Sequence, residues 1–439
     1  MAQLPGPLLQ RLRRPFRQWT AGSYALESPS FLGGLLVVLL VLLPFLENAQ
    51  IGVLTLAIAI GWGMRWLGDC PAWTPIHGPL MAYWILATIA TLLSPVRLAA
   101  FDGWIKLTLY FVGFAAFHQV LSCGAWRSRL VGAYLISTLW VNAYGVQQYV
   151  LGAQELATWT DPTSTLAGIT RVYSFLGNPN LLAGYLIPSV PLAIAALGIW
   201  RRWSLRLLAA VVALSSIFVI TQTFSRGGLL AIAVDLAAIA LLGVWWFGRT
   251  LPGWAFPTFC GGSLATILVA AAVIPPIRQR LGSILLGTGD SSNNFRVSVW
   301  GAVLRMIQAR PILGIGPGNR AFNQIYPLFQ RSGFSALGAY SVPLELAVET
   351  GVLGLICYGW LVVTILVLAW RQVQRCRAES NSEGLWLLGA IAAILGMATH
   401  GLVDTIWYRP QVHLLWWLAV ALVASFHPLP GTDHSHESP

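Results

Sequence analysis

Phe224-Ser225-Arg226-Gly227-Gly228 decides the fold, because of what stands on either side of it. Residues 207–223 and 227–248 are apolar runs, and about 17–25 residues suffice to cross a bilayer. A tight junction between two such runs is a loop at one membrane face, and Arg226 sits in it. At mid-membrane an arginine costs at least roughly 2.5–3.5 kcal/mol, so a charge kept this close to hydrocarbon is there to bind something. The fold class that follows is an all-α polytopic membrane protein whose chemistry gathers around arginines at one face.

Composition points the same way. The 439 residues are 56% hydrophobic and 9% charged, with mean hydropathy +0.69, against about 25% charged in soluble domains. The formal charge of +11 comes from arginines scattered singly between apolar runs, with Lys106 the one lysine. Such placement fits topology control and excludes a surface that tracks nucleic acid. Cys70, Cys123, Cys260, Cys357 and Cys376 lie far apart with no Cys-x-x-Cys, so neither a disulfide framework nor a metal site is expected. No cofactor is implied. The first apolar run begins at Phe31, after Arg11, Arg13, Arg14 and Arg17, without the cleavage pattern of a signal peptide.

Working outward, apolar runs near 31–46, 50–67, 79–94, 104–121, 130–150, 180–200, 207–223, 227–248, 255–275, 343–369, 384–404 and 411–427 predict about 12 transmembrane helices. Residues 1–30 are then a basic cytoplasmic tail, and 31–275 hold spans one to nine with an outer loop at 152–179. Residues 276–342 form one long outer (periplasmic) loop containing short amphipathic helices, 343–427 hold spans ten to twelve, and 428–439 form a second cytoplasmic tail. Alternation places Arg65, Arg127, Arg129, Arg201, Arg202, Arg206, Arg249, Arg371, Arg375 and Arg377 inside with the N-terminal cluster. Only Arg97, Arg171, Arg226 and Arg409, with Lys106 close by, fall in the short outer loops. That bias predicts both termini in the cytoplasm of a bacterial inner (plasma) membrane, with a thylakoid membrane as the alternative.

The long loop is not featureless. Ser291-Ser292-Asn293-Asn294 offers N-cap residues, and 295–309 follows with helical periodicity. Arg296 shares the apolar stripe of Val299, Trp300, Val303 and Ile307, while Arg305 points about 180° away. Packing of that stripe onto the membrane domain carries Arg296 in with it; the plainer alternative is an arginine snorkelling at the interface. Arg226 and Arg296, with Arg171 as a third member, read as an anion clamp. Glu345 and Glu349 at i and i+4 are expected to answer the arginines or take a proton, or else to form structural salt bridges. His400 and Asp404, again i and i+4, read as a proton-handling pair in which the carboxylate fixes the imidazole tautomer. Asp235 is the deepest acid and needs a partner. Gly314–Gly318 lacks Gly-Lys-Ser/Thr and a preceding strand, so it is not a nucleotide loop.

Gly177-Asn178-Pro179-Asn180, Ser225-Arg226-Gly227-Gly228, Arg296 with Trp300, Pro311 through Gly318, and Leu344-Glu345 through Gly354 resemble, in this order, the O-antigen ligase and polymerase superfamily. Ser94-Pro95-Val96-Arg97, Glu155–Trp159, Asp290–Arg296, Ala339–Glu345 and His400–Thr405 resemble the cyanobacterial IctB-type family more closely, whose members carry the name inorganic-carbon (bicarbonate) transporter. The ligases resembled carry a His, taken to activate the acceptor hydroxyl, where this chain has Tyr340, and a phenol of pKa about 10 is a poor base at neutral pH. Two activities follow from the resemblance. The first is transport of a small anion such as bicarbonate, with Glu345, Asp404 and His400 coupling protons or a cation. The alternative is metal-independent glycosyl transfer from a lipid-linked saccharide, with the same arginines on a polyprenyl diphosphate and His400 or Glu345 replacing the missing base. The loss of the His favours the first. Tyr340, Glu345, His400 and Asp404 are thus the proton-handling candidates, and membrane lipids are the expected surroundings.

Overall fold

The computed structural model describes residues 29–68, 73–154, 171–248, 291–405 and 408–428, together with 252, 254 and 258. Most of both tails, the Glu155–Trp159 motif, Asp290, nearly all of the expected ninth span and loop residues 276–290 lie outside the described residues. In chain order the helices are α1 (Pro29–Leu42), α2 (Asn48–Gly68), α3 (His77–Leu92), α4 (Arg97–Leu121), α5 (Ala125–Leu151), α6 (Pro179–Leu186), α7 (Ser189–Ile199), α8 (Trp203–Gln222), α9 (Arg226–Phe247), α10 (Ser291–Ala309), α11 (Asn319–Ile325), α12 (Val342–Ala378), α13 (Gly384–Val403) and α14 (Pro410–Ala424). The described residues contain no strand.

Among them, 6 spans are long and apolar enough to cross a membrane: α4, α6 with α7, α8, α9, α12 and α13. Length and composition thus bear out 6 spans among the described residues, against about 12 expected, of which nearly all of the ninth lies outside them. α1, α3 and α14 have 14, 16 and 15 residues, short of the ~20 that a bilayer asks for. α5 is long, but Ser137, Thr138, Asn142 and Gln148 make it polar, and they are buried. Its Asn142 Nδ2 donates to Ser215 and Ser216 Oγ on α8, each at 2.9 Å, which is interhelical polar glue rather than a lipid-facing surface.

Burial sorts the helices into a centre and a ring. The α6–α7 span is 78% buried and α13 is 72% buried over its most apolar stretch, against 28% for α4. Every residue of α14 is buried as well. Outer faces carry exposed Leu214, Leu230 and Val363, the apolar surface that lipid contact requires.

Glycines let the central helices meet closely. A Cβ on Gly227 would run into the His400 ring, and one on Gly228 into Ala183. Farther along α9, Asp235 is fully buried with its carboxyl against Gly396 of α13, and it finds no polar side-chain partner there. At the end of the bundle away from these arginine loops, Arg127 pairs with Glu383 at 3.6 Å, and Arg375 donates to the Phe426 carbonyl at 3.0 Å. The opposite end gathers the segments around 94–97, 171–180, 223–226, 310–342, 404–405 and 408–409, and this is the end that holds the site.

Candidate functional site

Each wall of the site begins with a local rule of chain geometry. Gly177 takes a left-handed turn at φ 66, and Asn178 caps α6 by accepting from the Asn180 and Leu181 amides. Pro179 follows at the first helical position, which needs no amide hydrogen. The Gly-Asn-Pro-Asn motif is thus a capped helix start, as its sequence predicts, and it aims Asn180 into the site. Ser225 caps α9 in the same way, its Oγ accepting from the Gly228 amide at 3.2 Å, and so fixes Arg226 as the first helical residue. The expected caps Ser291-Ser292-Asn293-Asn294 are themselves helical, since α10 runs from Ser291. The stripe on α10 is as read: Val299 and Val303 are buried, and Arg296 is carried inward with them. Arg305 faces away and donates to the Phe329 carbonyl at 2.7 Å.

These starts converge on one polar cluster. Arg171 Nε donates to the Thr223 carbonyl at 2.8 Å, and its Nη2 donates to Asn180 Oδ1 at 3.1 Å. Asn180 Nδ2 donates in turn to Asp404 Oδ2 at 2.6 Å, and Arg296 Nη2 lies 3.8 Å from the same oxygen. Arg226 and Arg296 both lie close enough to Arg171 to act on its charge. Burial pushes the Arg171 guanidinium down to about 10, with Asp404 opposing the fall and the other two arginines adding to it. Among the described residues Asp404 is the carboxylate at this cluster, bonded to Asn180 and beside Arg296. Like charges held together in a half-buried place leave a field that an anion would neutralise.

Tyr340 stands beside this cluster at φ 51, its ring edge-on to Phe295 with centroids 5.5 Å apart. Burial pushes its phenol up to about 12, and the Asp404 carboxylate adds to the rise while Arg296 opposes it. It remains a protonated donor at neutral pH.

Two expectations need correcting. His400 and Asp404 do not form a side-chain pair. α13 ends at Val403, and Asp404 adopts extended backbone at φ −152, which swings its carboxylate away to Asn180 and Arg296. The backbone joins the two, the Asp404 amide donating to the His400 carbonyl at 3.1 Å, and the Asp404 charge still acts on the imidazole without touching it. The His400 ring is fully buried against Gly227, with neither nitrogen hydrogen-bonded among the described residues. Nor do Glu345 and Glu349 answer the arginines, a part taken by Asp404. Glu345 Oε2 accepts from the Ala339 amide at 2.5 Å and from Thr405 Oγ1 at 3.5 Å, while Glu349 Oε1 accepts from the Gly318 amide at 2.6 Å.

Those two carboxylates do share a face, as their spacing predicts, and it opens onto a cavity of about 120 Å³ between α4, α12 and α14. Tyr110, Tyr408, His413 and Trp417 supply aromatic walls, with the Tyr110 and His413 rings 4.1 Å apart. The cavity and the arginine cluster meet at one partition: Glu345 is bonded to Ala339, next to Tyr340, and to Thr405, next to Asp404.

Residues 209–359 match the Wzy_C family, O-antigen ligase. The match takes in Arg226, Arg296, Tyr340 and both glutamates, while Arg171, Asn180, His400 and Asp404 lie outside it. No curated protein matches the chain. Among the described residues no three His, Cys, Asp or Glu side chains come together as a metal-binding set. Asn180, the bridge between Arg171 and Asp404, was not among the expected site residues. Its signal was the second Asn of Gly-Asn-Pro-Asn, which a turn alone does not require.

Proposed function

We propose that this membrane protein transfers a saccharide from a polyprenyl diphosphate to a hydroxyl acceptor, in the manner of an O-antigen ligase. The observation that carries the reading is adjacency: the Arg171–Arg226–Arg296 cluster abuts a cavity of about 120 Å³ walled by aromatic rings and two carboxylates. Aromatic faces and carboxylates are what a sugar ring asks for, through its apolar face and its hydroxyls. In the proposed step an acceptor hydroxyl in the cavity gives its proton to Glu345 as its oxygen bonds the anomeric carbon. The bond from that carbon to the diphosphate oxygen breaks, and the diphosphate leaves with the electron pair as an anion held by the arginines. His400, buried against Gly227, and Tyr340, protonated at neutral pH, are less suited to take the proton.

The test is transfer by the purified protein from a polyprenyl diphosphate-linked saccharide to a hydroxyl acceptor. Turnover should fall roughly 10²–10³-fold in Arg296→Ala, the loss expected when one stabilising donor is removed. Bicarbonate transport is the second reading, favoured by Tyr340 standing where the resembled ligases hold a His. It would take over if no donor supported transfer and liposomes showed saturable bicarbonate uptake that Arg226→Ala abolished.

A further inference from the structure

A second arginine group lies outside the site just described. Arg97, Arg310 and Arg320 come from three different segments, the start of α4, the residue after α10 and the start of α11, and line one open cleft of about 800 Å³. Ser94, Gln324 and apolar residues complete its lining, and no Asp or Glu is among them. Ser94 builds the cleft by donating to the Ile315 carbonyl at 2.5 Å and accepting from the Val96 amide at 3.0 Å, so the Ser94-Pro95-Val96-Arg97 motif docks the glycine turn. Arg310 donates to the Leu93 carbonyl at 3.2 Å. Arg97 and Arg320 have neither a hydrogen bond nor an ion pair from their side chains among the described residues. Arg97 also heads α4, whose first turn has no side-chain cap and no acid, an end where a cation is disfavoured and an anion favoured.

What surrounds the cleft identifies the anion. Met81, Ile85, Ile89 and Leu92 follow helical spacing along α3 and are all exposed, forming an apolar stripe that climbs to the cleft. On the other flank Leu98 is 89% exposed, with Phe101 and Ile105 below it on α4. Apolar stripes under a basic rim are complementary to acyl chains under a phosphate. We propose that this cleft is a binding site for the phosphate headgroup of an anionic phospholipid, whose chains lie along α3 and α4. The site is separate from the Arg171–Arg226–Arg296 cluster, and it holds whichever activity that cluster serves.

The test uses the full chain in detergent micelles doped with phosphatidylglycerol or phosphatidylcholine, with retained lipid counted by native mass spectrometry. The chosen variant is Arg97→Gln/Arg320→Gln, because neither side chain holds the fold together. Wild type should retain phosphatidylglycerol over phosphatidylcholine, and the double variant should lose roughly thirtyfold in phosphatidylglycerol affinity, about fivefold per arginine. Arg305→Gln, on the opposite face of α10, should bind as wild type does. Equal retention of both lipids, or full retention by the double variant, overturns the proposal. Displacement of the lipid by soluble glycerol phosphate at equal concentration also overturns it, since the cleft would then bind a free anion rather than a lipid.

Discussion

Asp404 shows how much a single backbone angle decides. Its φ of −152 takes it off the helix, so the residue that by spacing belongs to His400 belongs instead to Asn180 and Arg296. Asp404→Asn removes the carboxylate that, among the described residues, meets Asn180 and Arg296, and two effects of opposite sign should follow. The folded state should lose about 1–3 kcal/mol, while affinity for pyrophosphate should rise, both readable as melting temperatures with and without the anion. Arg296→Lys keeps the charge but not the planar fork, and anion affinity should drop about tenfold or more. Tyr340 yields a pH prediction. Its folded phenol is pushed up to about 12 from the ordinary 10.0, so the contribution is full below about pH 10 and is lost as pH rises toward 12. Tyr340→Phe should remove that alkaline loss of stability and leave the pH profile below 9 unchanged. At this scale the arginines were legible because charges next to apolar runs stand out. Asn180 was not, because an uncharged side chain in a turn motif looks like part of the turn.

Elements explain why the cluster holds its shape. α12 is broken at Gly351, where φ is 72 and ψ is −175, a conformation that only glycine adopts freely. The glycine turn repairs the break. The Ile315 and Gly316 amides donate to the Val348 and Glu349 carbonyls, each at 2.9 Å, and the Val352 amide donates to the Pro311 carbonyl at 2.8 Å. The same turn presents the Gly318 amide to Glu349, which sets one carboxylate of the cavity. Gly351→Ala would strain the backbone and collide with the Ile312 carbonyl, so it should lower stability by about 2–3 kcal/mol and cost activity with it. Gly359→Ala, at an open helical position of α12, should be neutral or stabilising by up to about 1 kcal/mol, and comparing the two in detergent melts isolates the break. The glycine turn and the apolar stripe of α10 could be read from the sequence, since punctuation and periodicity are local. The break within α12 could not, because it is written in contacts between residues 311–316 and 348–352, far apart in the chain.

At the scale of the molecule the helices place polar chemistry at one end of a bundle whose centre, α6, α7, α13 and α14, is shielded from lipid by the rest. Hydropathy does not separate a short buried helix such as α14 from one long enough to cross a bilayer. Nor does it show how the polar residues of α5, which lies over the run read at 130–150, are satisfied by a neighbouring helix. The site draws on segments from residue 83 to residue 417, so the meeting of the arginine cluster with an aromatic cavity is a property of the whole bundle. The most direct measurement is the affinity of the purified protein for polyprenyl diphosphate, beside that of Arg226→Ala and Arg296→Ala. Binding that falls roughly a hundredfold in each variant, and that bicarbonate does not displace, is the predicted result. Equal binding by wild type and both variants would contradict it.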